Sequence, residues 1–429
     1  MNAKPDQAKY HATIRELSDR IVEAQREIRI LDAIKWDPSV QERFFAKKCK
    51  ELPQIDRAYY EARPLSFDAS AKKLEFHAIE RDINRLLGRF NPIGHIMARM
   101  CEEYVTVVRM LEARGTPEFA SLAQQLYGAA SDAFHAGDPT IADLGEAMSA
   151  TLENLDASLL GPGEPKTITA EVAVQKLQKR LGKFFHSDEV RVKLSDGIAS
   201  DAAAGADYLK IRGDAMFNER DLKVLEVHEG HVHIATTLNG INQPVCTFLA
   251  KGPPSSTITQ EGLAIIMEII SFNSYPSRLK RITNRIHAID MAEKGADFLE
   301  VFNAFRQRGM DQDNAYTATY RVFRGSSPVM GPFTKDLSYS KGFVLIYNYL
   351  RLAVKRGKVD RIPLLFCGKT TLEDVKILHD AVEEGVVVMP KYLPKQFADL
   401  NALTAWMCYS VFLNRLNLQQ IEQDYAAIL

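Results

Sequence analysis

Residues 224–240 read VLEVHEGHVHIATTLNG, placing His228, Glu229, His231 and His233 within six positions. The flanks of this segment predict a helix. Asn218 followed by Asp221 forms a capping box. Leu222, Leu225 and Val232 give an apolar side, and Asn239-Gly240 is a fitting stop. Whatever the cluster does must therefore obey helical geometry. Histidines spaced as H-E-x-x-H would need a histidine at 232, where the chain has Val232. Two pairings remain. His228 and His231, at i and i+3, share a face of a regular helix, but leave Glu229 and His233 on another. His228 and His233 are five apart, roughly 140° around an ideal turn. They meet only if the helix widens into a π-bulge, which Gly230 inside the turn would tolerate.

A second acidic residue makes a metal site worth considering. Catalytic zinc takes about three protein ligands, an open water position and a nearby general base. The stretch TITQEGLAIIMEII supplies Glu261, expected in the first turn of a helix with an apolar body. A glutamate followed by glycine suits close helix packing. Glu268, seven residues on, is placed to orient a histidine from behind. The same letters also fit an N-cap box at Ile258-Thr259 or a solvated first-turn glutamate.

The phrase TQEGLA at 259–264, downstream of HEGHVH, resembles the QEGLA-motif family. That family includes bacterial proteins labelled flavohaemoglobin-expression modulators and eukaryotic microtubule-associated tyrosine carboxypeptidases. The likeness is clearest from ADYLKIRGD to FTKDLSYSKG. It implies a zincin-like metallopeptidase core holding Zn2+. Carried over by position, it implies His228, His233 and Glu261 as ligands and Glu229 as general base. His231 becomes a bystander or a supporting residue.

The rest of the chain frames that site. With 429 residues, 46% hydrophobic and 25% charged, it is long enough to bury a large core. Lysine and arginine total 54 against 55 aspartates and glutamates, so no global field favours nucleic acid or anionic membrane. The five cysteines are scattered, with no C-x-x-C pair, which argues against a disulfide framework or a cysteine zinc site. The N-terminus lacks the apolar core of a signal peptide, and the most apolar run, GFVLIYNYLRLAV, is broken by Asn348 and Arg351. The expected compartment is the cytoplasm.

Helical periodicity dominates up to a Pro- and Gly-containing loop near 160–168, which suggests a helical N-terminal region, 1–165, and a catalytic region, 166–429. Beyond it, EVRVKLSD and ADYLKIRG read as two strands, a hairpin joined by the Gly- and Ala-rich GIASDAAAGA. The expected class is α+β, mainly helical, with a small sheet beside the histidine helix.

Peptide hydrolysis also needs a donor for the oxyanion besides the metal. Tyr339, expected in a Gly-flanked loop, is the candidate. A carboxypeptidase must hold a free carboxylate, a task suited to arginine. Arg321, Arg324 and Lys335 are the candidates. Lys210 and Arg212 lie on YLKIRG, which would offer its backbone to an extended substrate as an edge strand does. The expected function is a zinc-dependent peptide hydrolase, a carboxypeptidase acting on a peptide or protein C-terminus. The alternative is a non-catalytic regulatory or scaffolding protein that keeps a metal site. An open set of two histidines, one glutamate and an adjacent base favours the enzyme, because structural zinc is usually closed by four ligands.

Overall fold

Proline and short polar side chains fix where the helices of the first half begin. Pro38, Pro92 and Pro117 each open a helix, where their missing N–H costs nothing. Asp37, Asp68 and Asn91 accept the first free backbone N–H groups of Pro38–Ala46, Ala69–Leu87 and Pro92–Glu112. Ile14, Leu17 and Ile21, spaced three and four apart on the helix Pro5–Gln25, are fully buried. They join Phe76, Ile83, Met97 and Leu111 in a large apolar cluster. Each such side chain contributes about 1.5–3 kcal/mol on burial. The computed structural model describes residues 5–160, 163–186, 190–196, 198 and 200–426.

That cluster draws on both stretches that the Pro- and Gly-containing loop separates. It also holds Val232, Leu263, Ile266, Leu350 and Met407. The two helices that carry the candidate ligands thus have their apolar backs in the same core as the N-terminal helices. The helix bearing TQEGLA, Pro254–Ile270, packs closely on Ser338–Lys355. A Cβ on Gly262 would run into the backbone of Gly342. The glycine after Glu261 therefore sets the approach of the two helices.

Among the described residues the protein is mainly helical with one small sheet, as expected for α+β. Its strands are β1 (Arg191–Ser195), β2 (Ala202–Ala204) and β3 (Tyr208–Arg212), in the order β1-β3-β2. Two features differ from the sequence reading. The expected hairpin is absent: β1 and β3 pair in parallel, Arg191 opposite Tyr208, because the connection between them contains a strand of its own. That strand, β2, pairs antiparallel with β3, Ala202 opposite Ile211. Consequently β3, the YLKIR strand, is central and its backbone is engaged on both sides, whereas β2 is an edge. Short alanines gave β2 no strand signal. Residues 197 and 199 of this connection, and 161–162 of the earlier loop, lie outside the described residues.

Leu209 and Ile211 point into a second cluster with Leu177, Leu181 and Phe185 of the helix Ala170–Phe185. The sheet is thereby clamped beside the histidine helix. Among the described residues no helix is long and apolar enough to cross a membrane.

Gly262→Val is expected to destabilise the protein by roughly 3 kcal/mol, the upper end for overpacking, because the collision is with backbone. Urea unfolding measures this. An unchanged midpoint would mean that the two helices do not touch at this point.

Candidate metal centre

The histidine helix starts where the sequence places it. Asp221 N–H donates to Asn218 Oδ1 at 2.7 Å and Asn218 N–H to Asp221 Oδ2 at 3.1 Å. From Glu219 to Ile241 the helix is continuous, but Glu226–Ile234 is π-helical. Hydrogen bonding from i to i+5 brings residues five apart onto one face. Gly230 lies at the centre of this segment, where a Cβ would strike the Leu181 side chain. Asn239 and Gly240, expected as the stop, sit inside the last turn. The buried Asn239 amide donates to the Phe366 and Tyr392 carbonyls, both at 2.8 Å.

The widened turn brings His228 and His233 together, with ring centroids 4.9 Å apart. Both Nε2 atoms face Glu261 Oε2, at 3.4 and 3.5 Å. Glu261 lies mid-helix rather than in a first turn, because Pro254 starts that helix earlier. Its Oε2 is buried without a hydrogen-bond partner. Tetrahedral zinc with bonds of about 2.0–2.1 Å spaces its ligand atoms roughly 3.4 Å apart, so these three donors fit such an ion.

Residues 42–415 match the family model described as microtubule-associated tyrosine carboxypeptidase. The chain belongs to this family. A comparison with curated proteins finds no match.

The surroundings explain how the three donors are held. His228 Nδ1 lies 2.7 Å from Glu268 Oε1. Glu268 is fully buried and takes two bonds from Arg278, at 2.8 and 3.1 Å. Burial pushes its carboxyl up, but the Arg278 charge and the His228 hydrogen bond win and hold it down to about 2. Burial likewise opposes the charge on Glu261, yet the nearby Lys335 ammonium and the two histidines keep it well below the carboxylate range. Burial works against a proton on His228, but the adjacent carboxylates of Glu261 and Glu268 push its pKa up to about 10. A metal cation satisfies the same carboxylates in place of that proton.

Glu229 lines the cleft, and its Oε2 accepts the Ala204 N–H of β2 at 3.1 Å. His231 is not grouped with the three converging donors. Its ring packs 4.3 Å from that of Phe184, and burial pulls its pKa down to about 4. Tyr339 is not in a loop but in the first turn of Ser338–Lys355, its ring stacked 6.2 Å from that of His228. Lys335 Nζ lies 3.4 Å from Glu261 Oε1, so it is paired with the candidate ligand carboxylate. The Arg321 guanidinium is closed on Asp336 by two 2.8 Å bonds. Arg324 is buried beside it. Lys210 and Arg212 line the outer cleft, with Arg212 paired to Asp201 at 3.0 Å and Asp214 at 2.8 Å.

Three cations were not singled out from the sequence. Arg278 and Arg285 belong to the helix Pro276–Glu293. Lys369 donates to the His233 carbonyl at 2.9 Å and to Gln260 Oε1 at 3.0 Å. One local signal pointed to Arg278: a cation in a helix's first turn opposes the macrodipole unless a carboxylate holds it.

Glu268→Gln is expected to weaken zinc binding 10- to 100-fold, read by competition with a chromophoric chelator. The folded pKa of Glu268, about 2, lies below the unfolded value of about 4.3. Its contribution to stability is therefore complete above about pH 4.3 and is lost as pH falls toward about 2. The stability gap between wild type and variant, from urea unfolding, should shrink across that window. A gap independent of pH would contradict the assignment.

Proposed function

We propose that this chain is a zinc-dependent carboxypeptidase with a zincin-like core, removing the last residue from a peptide or protein. The observation that carries this reading is the convergence of two imidazole nitrogens on the partnerless Glu261 Oε2, with Glu229 lining the same cleft. Membership of a family described as tyrosine carboxypeptidases supplies the reaction class. His228, His233 and Glu261 hold the ion. Zinc, when bound, acidifies a water and polarises the scissile carbonyl.

The remaining work falls to the chain's own residues. Glu229, oriented by the Ala204 N–H, takes the water's proton and delivers it to the leaving amine. The Tyr339 hydroxyl has no hydrogen bond among the described residues and serves as donor to the oxyanion. The outer edge of β2, whose Ala204 N–H holds Glu229, lies where an extended substrate backbone would run, the role the sequence reading gave to β3. Glu268 and Arg278 fix the His228 ring, so proton transfer does not compete with ligation.

The cleft is about 2100 Å³ and reaches from Lys35 and Lys166 to Lys369. Lysines and arginines outnumber aspartates and glutamates along it, although the chain as a whole is balanced at 54 to 55. A cleft with an excess of one sign favours ligands of the other, so the preferred substrate is an acidic C-terminal segment.

Glu229→Gln is expected to cut turnover 10²- to 10⁴-fold, the usual contribution of a general base, with one zinc per chain retained by elemental analysis. A peptide library read by mass spectrometry should show loss of single C-terminal residues by wild type only. Equal turnover by both proteins would sink the catalytic reading and leave a scaffolding role.

A further inference from the structure

His228 and His233 are held in different ways. The His228 ring is fixed from behind, its Nδ1 2.7 Å from Glu268 Oε1 on the helix that also carries Glu261. Among the described residues the only carboxylate paired with the His233 ring is Glu261 itself, at 3.5 Å. His233 is anchored instead through its main chain, where the Lys369 ammonium donates to its carbonyl at 2.9 Å.

Lys369 then reaches the second helix. Its Nζ also donates to Thr236 Oγ1 at 3.1 Å and to Gln260 Oε1 at 3.0 Å. The Thr236 hydroxyl lies 2.7 Å from the same Gln260 oxygen. Gln260 directly precedes Glu261, and Thr236 stands three positions after His233. One ammonium therefore joins the two ligand-bearing helices beside the two residues whose donors must meet. Thr236 is fully buried and Gln260 is 4% exposed, so bulk water is kept from this bridge.

The chemistry of lysine suits the place. An ammonium offers three N–H donors from one atom and no acceptor, and all three are spent on neutral oxygens. Gln260 must turn its carbonyl oxygen toward such a group, which fixes its amide. The lysine comes from a third stretch of chain, after Val359–Phe366. Its backbone is held too, the Lys369 N–H donating to the Leu249 carbonyl at 2.7 Å. A Cβ on Gly368 would collide with Leu249, so this approach needs glycine.

We infer that Lys369 is a positioning residue for the metal centre, and that through Gln260 and Thr236 it sets the separation of His233 from Glu261. The widened turn brings His233 onto the right face; the bridge fixes how far that face stands from the second helix. This role rests on the metal-centre reading above. Lys369 spends its donors on the protein and does not touch the substrate.

The test uses the whole chain, freed of metal and then loaded with zinc or cobalt(II). Lys369→Met keeps an unbranched side chain and removes the three donors. Gln260→Leu removes the acceptor, whereas Gln260→Glu keeps an oxygen toward the ammonium. Zinc affinity, read by competition with a chromophoric chelator, should fall 10- to 100-fold in Lys369→Met and in Gln260→Leu. It should stay near wild type in Gln260→Glu. The double variant Lys369→Met/Gln260→Leu should lose no more than either single one, because both cut the same bridge. The visible bands of the cobalt(II) protein should shift in the two weakened variants and not in Gln260→Glu, a signature that lost stability alone does not give. Wild-type affinity and an unchanged cobalt(II) spectrum in Lys369→Met overturn the bridge and leave the metal centre standing, as do losses that add in the double variant. If Lys369→Met does not fold, Gln260→Leu and Gln260→Glu decide by the same two readings. If wild type takes up neither metal, the metal-centre reading fails and the bridge with it.

Discussion

The widened helix from Glu226 to Ile234 is the constraint on which the candidate centre depends. Without it, His228 and His233 face apart and Glu261 meets at most one of them. A π-turn is rare and packs its axis loosely, so the surroundings must stabilise it. Leu181 from the neighbouring helix fills the space over Gly230. Where the helix narrows again, the His233 carbonyl receives the Thr237 hydroxyl at 2.8 Å and the Lys369 ammonium at 2.9 Å. The distortion is thus held by packing on one side and by donors on the other. It is a fixed part of the fold.

Charge is arranged around that distortion in two layers. The inner layer is compensated: Glu268 by Arg278 and His228, Glu261 by Lys335. Burying these ions costs several kcal/mol each, which only excellent geometry offsets. What they provide is orientation, since Glu268 holds the back of the His228 ring. In the outer layer cations are in excess, with more lysines and arginines than aspartates and glutamates along the cleft. A chain with almost no net charge thereby presents a basic groove to whatever enters.

Local sequence carried the part of this arrangement that depends on near neighbours. The capping box at Asn218, the candidate pair His228/His233 and the glycine beside Glu261 could be read from spacing and from the family resemblance. The length of the π-segment could not, because Leu181 and Lys369 support it from elsewhere in the fold. Edge strand β2 was hidden by its three alanines, which pack as well in a loop. Lys369 was missed because nothing in its own segment marks it; its meaning comes from His233 and Gln260, far upstream in the chain. Tyr339 was recognised as a residue but misplaced, because the Ser-rich SYSKG looked like a loop although it opens a helix.

The central claim is that His233, and not His231, completes the metal site through the widened turn. Zinc stoichiometry and affinity of His233→Ala and His231→Ala, measured side by side on folded protein, test it directly. The account predicts one tightly held zinc in His231→Ala and its loss in His233→Ala. Zinc kept by His233→Ala and lost by His231→Ala would contradict it.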